Sequence, residues 1–369
     1  MEDIIISKDM SINNKKIGII GATMQDDYGL IMSHMGLCEF LKTRGVNFSI
    51  IPPPYTKNYC KTSIPLFKKM YPISKKISLS SFTDYNKEFD TFLLGPGEVW
   101  DWNFYVTGCA DMCSYLKFVD DTKKIITYGP TFKWDYPTVL ISRPDKHLEY
   151  KEQLKRFNNI TVTSQGDSDI LNDFYDIKDV KPVIDAMFLP PRKFFLDFIN
   201  YQPKQIKNTL TIYPINKISR NETADNCAKM LKCDIQKIAT GNPYECQRLK
   251  DYSIVLDDIT ILNPPGQHLS IRDWLKQIIY SRYVMCCDYS SLCVAIRFMK
   301  NFIVFQDPDD TRIEFLINEL GLQERMIENH DHEKATKLFK TKIDWISVYE
   351  KLKSFKKESI ISLLNSIKQ

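Results

Sequence analysis

The chain has 369 residues, 43% of them hydrophobic and 26% charged, a composition typical of a globular protein large enough for two cores. Its net charge of +4 falls short of the clustered basic excess of nucleic-acid-binding domains, so we expect no nucleic-acid partner. The ten cysteines are scattered and form no CxxC pair, so we expect no metal site. We expect a cytoplasmic protein, because the sequence has neither the apolar core of a leader peptide nor an apolar run of about 18 residues.

The first half of the chain alternates short buried strands with helices. A strand at 17–20, a helix from near Leu30 to Arg44 and a strand at 46–51 make up a βαβ unit, which predicts a parallel sheet. Further strands are predicted at 91–94, 124–128, 160–163 and 180–184, and further helices at 148–157 and 168–174.

A polar segment at 201–208 is typical of a linker, and a second series of the same kind follows it. Strands are predicted at 209–213, 235–239, 253–256, 283–287 and 302–305, and helices at 221–231, 270–281, 291–299, 312–320 and 344–369. We therefore expect an α/β fold of two doubly wound, Rossmann-like parallel-sheet domains, residues 1–200 and 201–340, followed by a C-terminal helix, 341–369. Because open parallel sheets bind ligands beyond the carboxyl ends of their strands, we expect both sets of strand ends to face one cleft.

Two segments of the first half are candidates for this cleft. Asp27-Tyr28-Gly29 precedes a helix, where it either caps the helix or lets a ligand reach the amide groups. Gly95-Pro96-Gly97-Glu98-Val99-Trp100 follows a strand, where glycines allow close approach and Glu98 is suited to orient sugar hydroxyls. The alternative for the second segment is a tight turn with Trp100 packed beneath it.

The second half offers Asp288-Tyr289-Ser290-Ser291 at a strand end. Ser290 and Ser291 either cap the following helix or help its amide groups to hold an anion. Arg312 opens the next helix, where an arginine is suited to grip a carboxylate or phosphate, although arginines are also common on helix surfaces. His268 lies in a loop between a strand and a helix and is the histidine that we would test first, whereas His34 is more typical of a core or rim position.

The order and spacing of these motifs resemble the polysaccharide pyruvyl transferase family from about Lys16 to Leu322. Asp27-Tyr28-Gly29 stands where the family has Asn-Tyr-Gly, and Gly95 to Trp100 stands where it has Gly-Ser-Asp-Gln-Val-Trp. Thr311-Arg312-Ile313 is similar to the family's Ser-Arg-Ile. The resemblance implies a two-domain GT-B-like fold, phosphoenolpyruvate as donor, and a sugar or lipid-linked oligosaccharide as acceptor that receives a pyruvate ketal.

The chain departs from the family at two functional positions. Thr163 stands where the family's Ser-Val-Arg motif has its arginine, and Ser291 stands where the family has a histidine. A serine cannot replace an imidazole as a general acid near neutral pH. Arg312 therefore remains as the donor ligand that the resemblance implies. The implied roles are donor binding by Arg312, Ser290, Ser291 and Thr163, catalysis by Glu98, His268 and Ser291, and a cleft wall for the acceptor made of Asp27, Tyr28, Gly29, Gly95, Gly97 and Trp100.

Two other functions stay open at this point. The same scaffold suits a glycosyltransferase that binds a nucleotide sugar at helix N-termini without a metal or other cofactor, with Glu98, Asp27 or His268 as base. The third reading is a non-catalytic protein that binds a glycan or a partner enzyme. The lysine-rich stretch from Lys351 to Lys357 predicts either contact with the inner face of a membrane or a solvated helix face.

Overall fold

The computed structural model describes residues 15–21, 27–52, 63–100, 110–133, 144–215, 217–238, 269–308 and 310–368. The chain divides into two compact units, the first comprising residues 1–25, 30–190 and 353–369, and the second comprising residues 26–29 and 191–352. The predicted strand at 253–256 and His268 lie outside the described residues.

Unit 1 is built on a four-stranded parallel sheet in the order β2-β1-β3-β4. Its strands are β1 (Ile17–Ile20), β2 (Phe48–Ile50), β3 (Thr91–Leu94) and β4 (Lys124–Thr127), with a separate parallel pair β5 (Thr161–Val162) and β6 (Lys181–Pro182). Its helices are α1 (Tyr28–Thr43, of which the first two residues belong to unit 2), α2 (Ser63–Met70), α3 (Ala110–Ser114), α4 (Pro144–Leu154) and α5 (Gln165–Tyr175). All residues of β1 and β3 are buried, which is why both strands are continuous apolar runs in the sequence.

Unit 2 is built on a five-stranded parallel sheet in the order β11-β10-β9-β7-β8. Its strands are β7 (Lys207–Tyr213), β8 (Asp234–Lys237), β9 (Ser281–Cys286), β10 (Asn301–Phe305) and β11 (Met326–Ile327). Its helices are α6 (Arg192–Phe198), α7 (Ile218–Leu231), α8 (Ile271–Tyr280), α9 (Tyr289–Arg297), α10 (Thr311–Leu320) and α11 (His332–Lys340). The last helix, α12 (Trp345–Lys368), begins in unit 2, and its residues from 353 onward belong to unit 1.

The α/β prediction with two doubly wound parallel sheets is confirmed, and four helices of the structure, among them the five-residue α3, are additions to it. Helix α2 lies between the strands predicted at 46–51 and 91–94, where the sequence predicts no helix. Helix α6 starts directly after Pro191, which is its N-cap, and proline is well tolerated at a helix start. Helix α11 buries only Ala335, Thr336 and Phe339, so its apolar face is too narrow to stand out in a polar sequence.

The two sheets share one topology. In each, the chain passes from the first strand to a neighbour on one side and then to a third strand on the other side, giving the orders β2-β1-β3 and β8-β7-β9. This is the doubly wound order in which the direction reverses beside the first strand. A crevice therefore opens at the carboxyl ends of β1 and β3 in unit 1, and of β7 and β9 in unit 2. Each crevice is the place where such a sheet binds its ligand.

Candidate functional site

The crevice of unit 2 is spanned by a buried arginine that the sequence analysis did not single out. Arg220, in the first turn of α7, is fully buried. Its guanidinium donates to Cys287 O (3.0 Å), Gln306 O (3.2 Å), Asp307 Oδ2 (3.3 Å) and Asn329 Oδ1 (2.8 Å). These acceptors follow β9, β10 and β11, so one side chain holds three strand ends together. This role of Arg220 cannot be predicted from the sequence, because an arginine in a helical pattern is typical of a surface position.

The start of α9 lies at the other side of this crevice. Asp288 is its N-cap: Asp288 Oδ1 accepts a hydrogen bond from Ser291 N (2.7 Å), and Ser291 Oγ accepts one from Asp288 N (3.4 Å). This reciprocal pair is a capping box. The Asp288 carboxylate and the Ser291 hydroxyl are thus engaged with each other, as the capping interpretation requires. The donor-binding and catalytic roles of Ser291 stay predictions.

Gly29 and Ser290 come together in unit 2, although the sequence analysis assigned them to opposite walls of the predicted cleft. A Cβ added to Gly29 would lie 1.8 Å from Ser290 Oγ, so only glycine fits at this position. The neighbouring Tyr28 ring stacks on Trp274 with a centroid separation of 5.1 Å, and Tyr28 Oη donates to Leu269 O (2.9 Å). The Tyr28-Gly29 pair therefore has a packing role in unit 2, beside the start of α9.

Arg312 is buried at the start of α10 and forms a bidentate pair with its own helix cap. Its Nε and Nη2 donate to Asp310 Oδ1 (2.7 Å) and Asp310 Oδ2 (2.6 Å), and its guanidinium lies over the Tyr289 ring at 4.8 Å from the centroid. A donor carboxylate or phosphate would have to compete with the Asp310 carboxylate for this fork. The assignment of Arg312 as a donor ligand stays a prediction.

Helix α7 offers a different kind of N-terminus at the same crevice. Its N-cap residue is Lys217, which is exposed and makes no side-chain capping bond to the described amides. The first turn of a helix carries amide groups without intrahelical partners and a partial positive charge. A lysine at this place adds a full positive charge, so the start of α7 favours an anion more than the start of α9 does.

The crevice of unit 1 contains His34. Its ring is fully buried, Nδ1 donates to Leu30 O (2.9 Å), and Nε2 has no hydrogen-bond partner among the described residues. A Cβ on Gly95 would lie 2.9 Å from Nε2 and one on Gly21 would lie 3.4 Å from it, so the two glycines that follow β3 and β1 leave room for the imidazole. Burial lowers the pKa of His34 to about 4, so the ring is neutral at neutral pH.

The predicted turn after β3 is held to the turn after β4. Gly97 has a φ of +124°, which demands glycine, and Gly97 O accepts from Thr131 N (3.0 Å). Trp100 is buried, packs on Phe132 at a centroid separation of 5.1 Å, and donates from Nε1 to Ser114 O (3.1 Å). Trp100 thus has the core position of the alternative reading.

Glu98, the predicted base, lies in that same turn and is half-buried, with Lys133 Nζ at 3.5 Å from Glu98 Oε2. Thr163, where the resemblance implies a donor ligand, is buried and donates to Gly129 O (2.7 Å). Asp167, which the sequence analysis passed over, accepts from Thr131 Oγ1 (2.9 Å), Phe132 N (2.8 Å) and Ser164 Oγ (2.7 Å). It therefore fixes the exit of β4 in the way that Arg220 fixes the exits of β9 and β10.

The described residues contain no group of three or more His, Cys, Asp or Glu side chains placed to hold a metal ion. No described helix is long and apolar enough to cross a membrane. The seven cysteines that the structure describes are thiols, and all but Cys233 are buried.

No family model and no curated protein matches the chain. Solved structures do match over nearly its whole length. The UDP-GlcNAc 2-epimerase of Methanocaldococcus jannaschii, solved with UDP-GlcNAc and UDP, is 13% identical with a TM-score of 0.54, covering 95% of this chain and 99% of that chain. The UDP-GlcNAc 2-epimerase of Neisseria meningitidis, bound to UDP-GlcNAc, is 11% identical with a TM-score of 0.57, covering 95% of this chain and 100% of that chain.

An alpha-glucosyltransferase in complex with UDP-glucose and DNA containing an abasic site is also similar. It is 12% identical with a TM-score of 0.53, and the match covers 96% of each chain. At such low identity these matches establish the fold and nothing finer. The chain has a GT-B-like fold, as the sequence predicts; the pyruvyl transferase resemblance stays a prediction.

Proposed function

We propose that this protein is a transferase of glycan biosynthesis that takes its sugar from a nucleoside diphosphate donor. The second reading of the sequence thus moves ahead of phosphoenolpyruvate-dependent transfer. Support comes from the fold, since the three similar structures are named for complexes with UDP-GlcNAc, UDP or UDP-glucose. A fold hosts many functions, so the argument depends on the residues at the crevice of unit 2.

The observation that carries the proposal is the start of α7 at this crevice. A diphosphate needs amide donors and positive charge, and the first turn of α7 with Lys217 supplies both. The start of α9 is less suitable, because the Asp288 carboxylate already accepts the Ser291 amide and would repel a phosphate. We therefore assign the donor diphosphate to α7, and a positioning role to Arg220, which joins α7 to the ends of β9 and β10.

The transfer itself follows from this assignment. The acceptor hydroxyl oxygen bonds to the anomeric carbon, the bond from that carbon to the diphosphate oxygen breaks, and the hydroxyl proton passes to a general base. The three residues that the sequence offers as this base, Glu98, Asp27 and His268, stay predictions. Negative charge grows on the leaving diphosphate, and a preorganised helix N-terminus with a lysine stabilises that charge more in the transition state than in the bound donor.

Phosphoenolpyruvate transfer would require an existing ion pair to break. Its donor carboxylate or phosphate would have to displace Asp310 from the Arg312 guanidinium, a bidentate pair at 2.6–2.7 Å. Displacement would leave the buried Asp310 carboxylate without its charged partner, which costs several kcal/mol. Because of this cost, we favour a nucleotide-sugar donor over phosphoenolpyruvate.

Thermal unfolding with UDP, GDP, CDP, ADP, dTDP and phosphoenolpyruvate, each alone, tests the proposal. We expect one nucleoside diphosphate to raise Tm by mass action and phosphoenolpyruvate to leave it unchanged. Lys217→Glu should weaken binding of that nucleotide on the order of tenfold, measured by calorimetric titration.

The matched control is Lys229→Glu, in the same helix. Twelve residues of α7 place Lys229 roughly 18 Å from Lys217, beyond a Debye length of about 10 Å, so nucleotide affinity should stay unchanged. If phosphoenolpyruvate alone stabilised the protein, this result would contradict the proposal and favour a pyruvyl transferase. No response to any of the six compounds would favour the non-catalytic reading.

A further inference from the structure

The amino ends of the strands in unit 2 form an edge with its own chemistry. All five strands are parallel, so the residues that precede them lie at one edge of the sheet, opposite the crevice. Residues 202–206, which lead into β7, and the first two residues of β7 are exposed, and Ile206 has 54% of its surface exposed. A large apolar side chain is thus presented to solvent at the start of the second strand from one side of the sheet.

Positive charges surround Ile206. A surface depression of about 550 Å³ lies here, and its charged lining residues are Lys204, Lys207 and Lys276. Tyr280 completes one wall, where its hydroxyl accepts from Gln202 N (2.8 Å) and its ring stacks on Tyr201 at 5.5 Å. The depression therefore offers ammonium groups on a wall that hydrogen bonding and stacking hold in place.

A second apolar side chain stands at the same edge, at the start of α12. Ile346 is the most exposed large hydrophobic side chain of the described residues, at 79%. The Asp344 carboxylate caps the helix by accepting from the Ile346 and Ser347 amides at 3.1 and 3.2 Å. The half-buried Trp345 ring lies 6.3 Å from Phe302, the second residue of β10, which places this corner near the amino end of β10.

Hydrogen bonds hold the backbone of the corner before α12 in place, and its exposed side chains are basic. Buried Arg325 donates to Leu338 O (2.8 Å) and Thr341 O (3.2 Å), and Asn301 Nδ2 donates to Phe339 O (2.7 Å). The exposed lysines of this corner are Lys340 and Lys342. These two ammonium groups outnumber the one carboxylate beside them, Asp344, so the three side chains together carry a net positive charge.

We propose that this amino edge of unit 2, defined by Lys204, Ile206, Lys207, Lys276, Lys342 and Ile346, docks the protein on a bilayer that contains anionic phospholipid. Each ammonium group binds headgroup phosphate, while Ile206 and Ile346, with the Trp345 ring, enter the headgroup region. Lysines near an anionic surface each contribute attraction, and buried apolar side chains add to it. The crevice lies at the opposite edge of the same sheet, so docking leaves it open.

A lipid surface fits this edge better than a protein partner does. Protein interfaces bury a contiguous, closely packed apolar centre with charged groups at the rim. Here Ile206 precedes β7, while the exposed Ile346 stands at the start of α12, near the amino end of β10. Strand β9 separates β7 from β10, and exposed lysines neighbour each isoleucine in the sequence. Isolated apolar side chains among ammonium groups suit a surface of phosphates above hydrocarbon. The lysine-rich stretch from Lys351 to Lys357, the other candidate for membrane contact, is interrupted because Lys356 is buried.

Co-sedimentation of the full chain with vesicles tests this inference. We expect binding to vesicles of phosphatidylcholine mixed with phosphatidylglycerol, little binding to phosphatidylcholine alone, and weaker binding as salt is raised. The double variant Lys204→Glu/Lys207→Glu should weaken binding by on the order of 30-fold or more. Ile206→Ser/Ile346→Ser should weaken binding that remains at high salt, where the lysines are screened.

The controls carry the same changes at the carboxyl edge. Lys217→Glu/Lys334→Glu matches the charge reversal, and Ile218→Ser matches the isoleucine change at a side chain 60% exposed. Both should bind vesicles like the wild type, and thermal unfolding should confirm that every variant is folded. The inference would be overturned if the variants at both edges lost vesicle binding equally, or if the wild type bound neutral vesicles as well as anionic ones. Binding to an acidic protein without any binding to vesicles would also overturn it. Vesicle binding needs no donor, so its outcome is separate from that of the proposed function.

Discussion

At the residue scale, His34 illustrates how burial sets the charge of a side chain. Its folded-state pKa is about 4 against an ordinary 6.5, so between these values the unfolded chain takes up a proton that the folded protein does not. The folded state is therefore fully favoured above pH 6.5 and loses stability as the pH falls toward 4. The slope approaches about 1.4 kcal/mol per pH unit, or about 3 kcal/mol over the window.

Urea unfolding at pH 7 and pH 5, compared between the wild type and His34→Gln, isolates this contribution. Glutamine carries no proton equilibrium, so the variant should lose less stability than the wild type on going to pH 5. Other titrating groups, such as His147, are common to both proteins and cancel in the comparison. An identical pH dependence of the two proteins would contradict the assignment.

Gly29 tests the close approach between α1 and α9 at the same scale. Gly29→Ala should cost about 1–3 kcal/mol, because its Cβ would overlap both Oγ and Cβ of Ser290. Ser290→Gly removes both atoms, so the double variant should recover most of that loss in the free energy of unfolding. Gly36→Ala gives the contrasting case, since its Cβ would meet the Ala186 backbone at 2.1 Å, which no side-chain truncation relieves.

At the scale of elements, Arg220 connects one helix with the ends of three strands. Arg220→Lys should destabilise the protein by on the order of 3 kcal/mol, because a lysine cannot supply the planar set of donors that reaches all four acceptors. Urea unfolding measures this cost. Arg272→Lys, an exposed arginine over the Phe198 ring, is the control and should stay within about 0.5 kcal/mol of the wild type. Equal stability of the two variants would show that the hydrogen bonds of Arg220 contribute little.

Helices and strands whose signals are local in sequence could be predicted, whereas contacts between distant residues could not. Strands such as Thr91–Leu94 were found because buried parallel strands are unbroken apolar runs. The start of α9 was found because its cap residues are local in sequence. The roles of Arg220 and Asp167 could not be found in this way, since their partners lie 67 or more and 35 or more residues distant, apart from the local Asp167–Ser164 contact.

At the scale of the whole molecule, the chain passes between the two units more than once. Residues 26–29 belong to unit 2, and residues 353–369 return to unit 1. The sequence predicts a helical tail at 341–369, but periodicity along a helix cannot tell which core its apolar face joins. In the structure Ile360, Leu363, Leu364 and Ile367 are buried, and Ser359 Oγ accepts from Ile184 N (2.9 Å).

Truncation after Leu352 tests this assignment to unit 1. Removing residues 353–369 exposes the apolar surface that the four buried side chains cover, at roughly 1.5–3 kcal/mol for each, which exceeds much of the stability of an ordinary domain. Hydrogen exchange should therefore accelerate in unit 1, first at Ile184, while β9 and β10 of unit 2 keep their protection. Ser359→Ala removes the acceptor of the Ile184 amide together with the local bond from Ser359 Oγ to Phe355 O, and it should cost about 1–3 kcal/mol. A chain that ends at Ile367 should exchange like the wild type. If the truncated chain protected Ile184 as the full chain does, the last helix would contribute nothing to the core of unit 1.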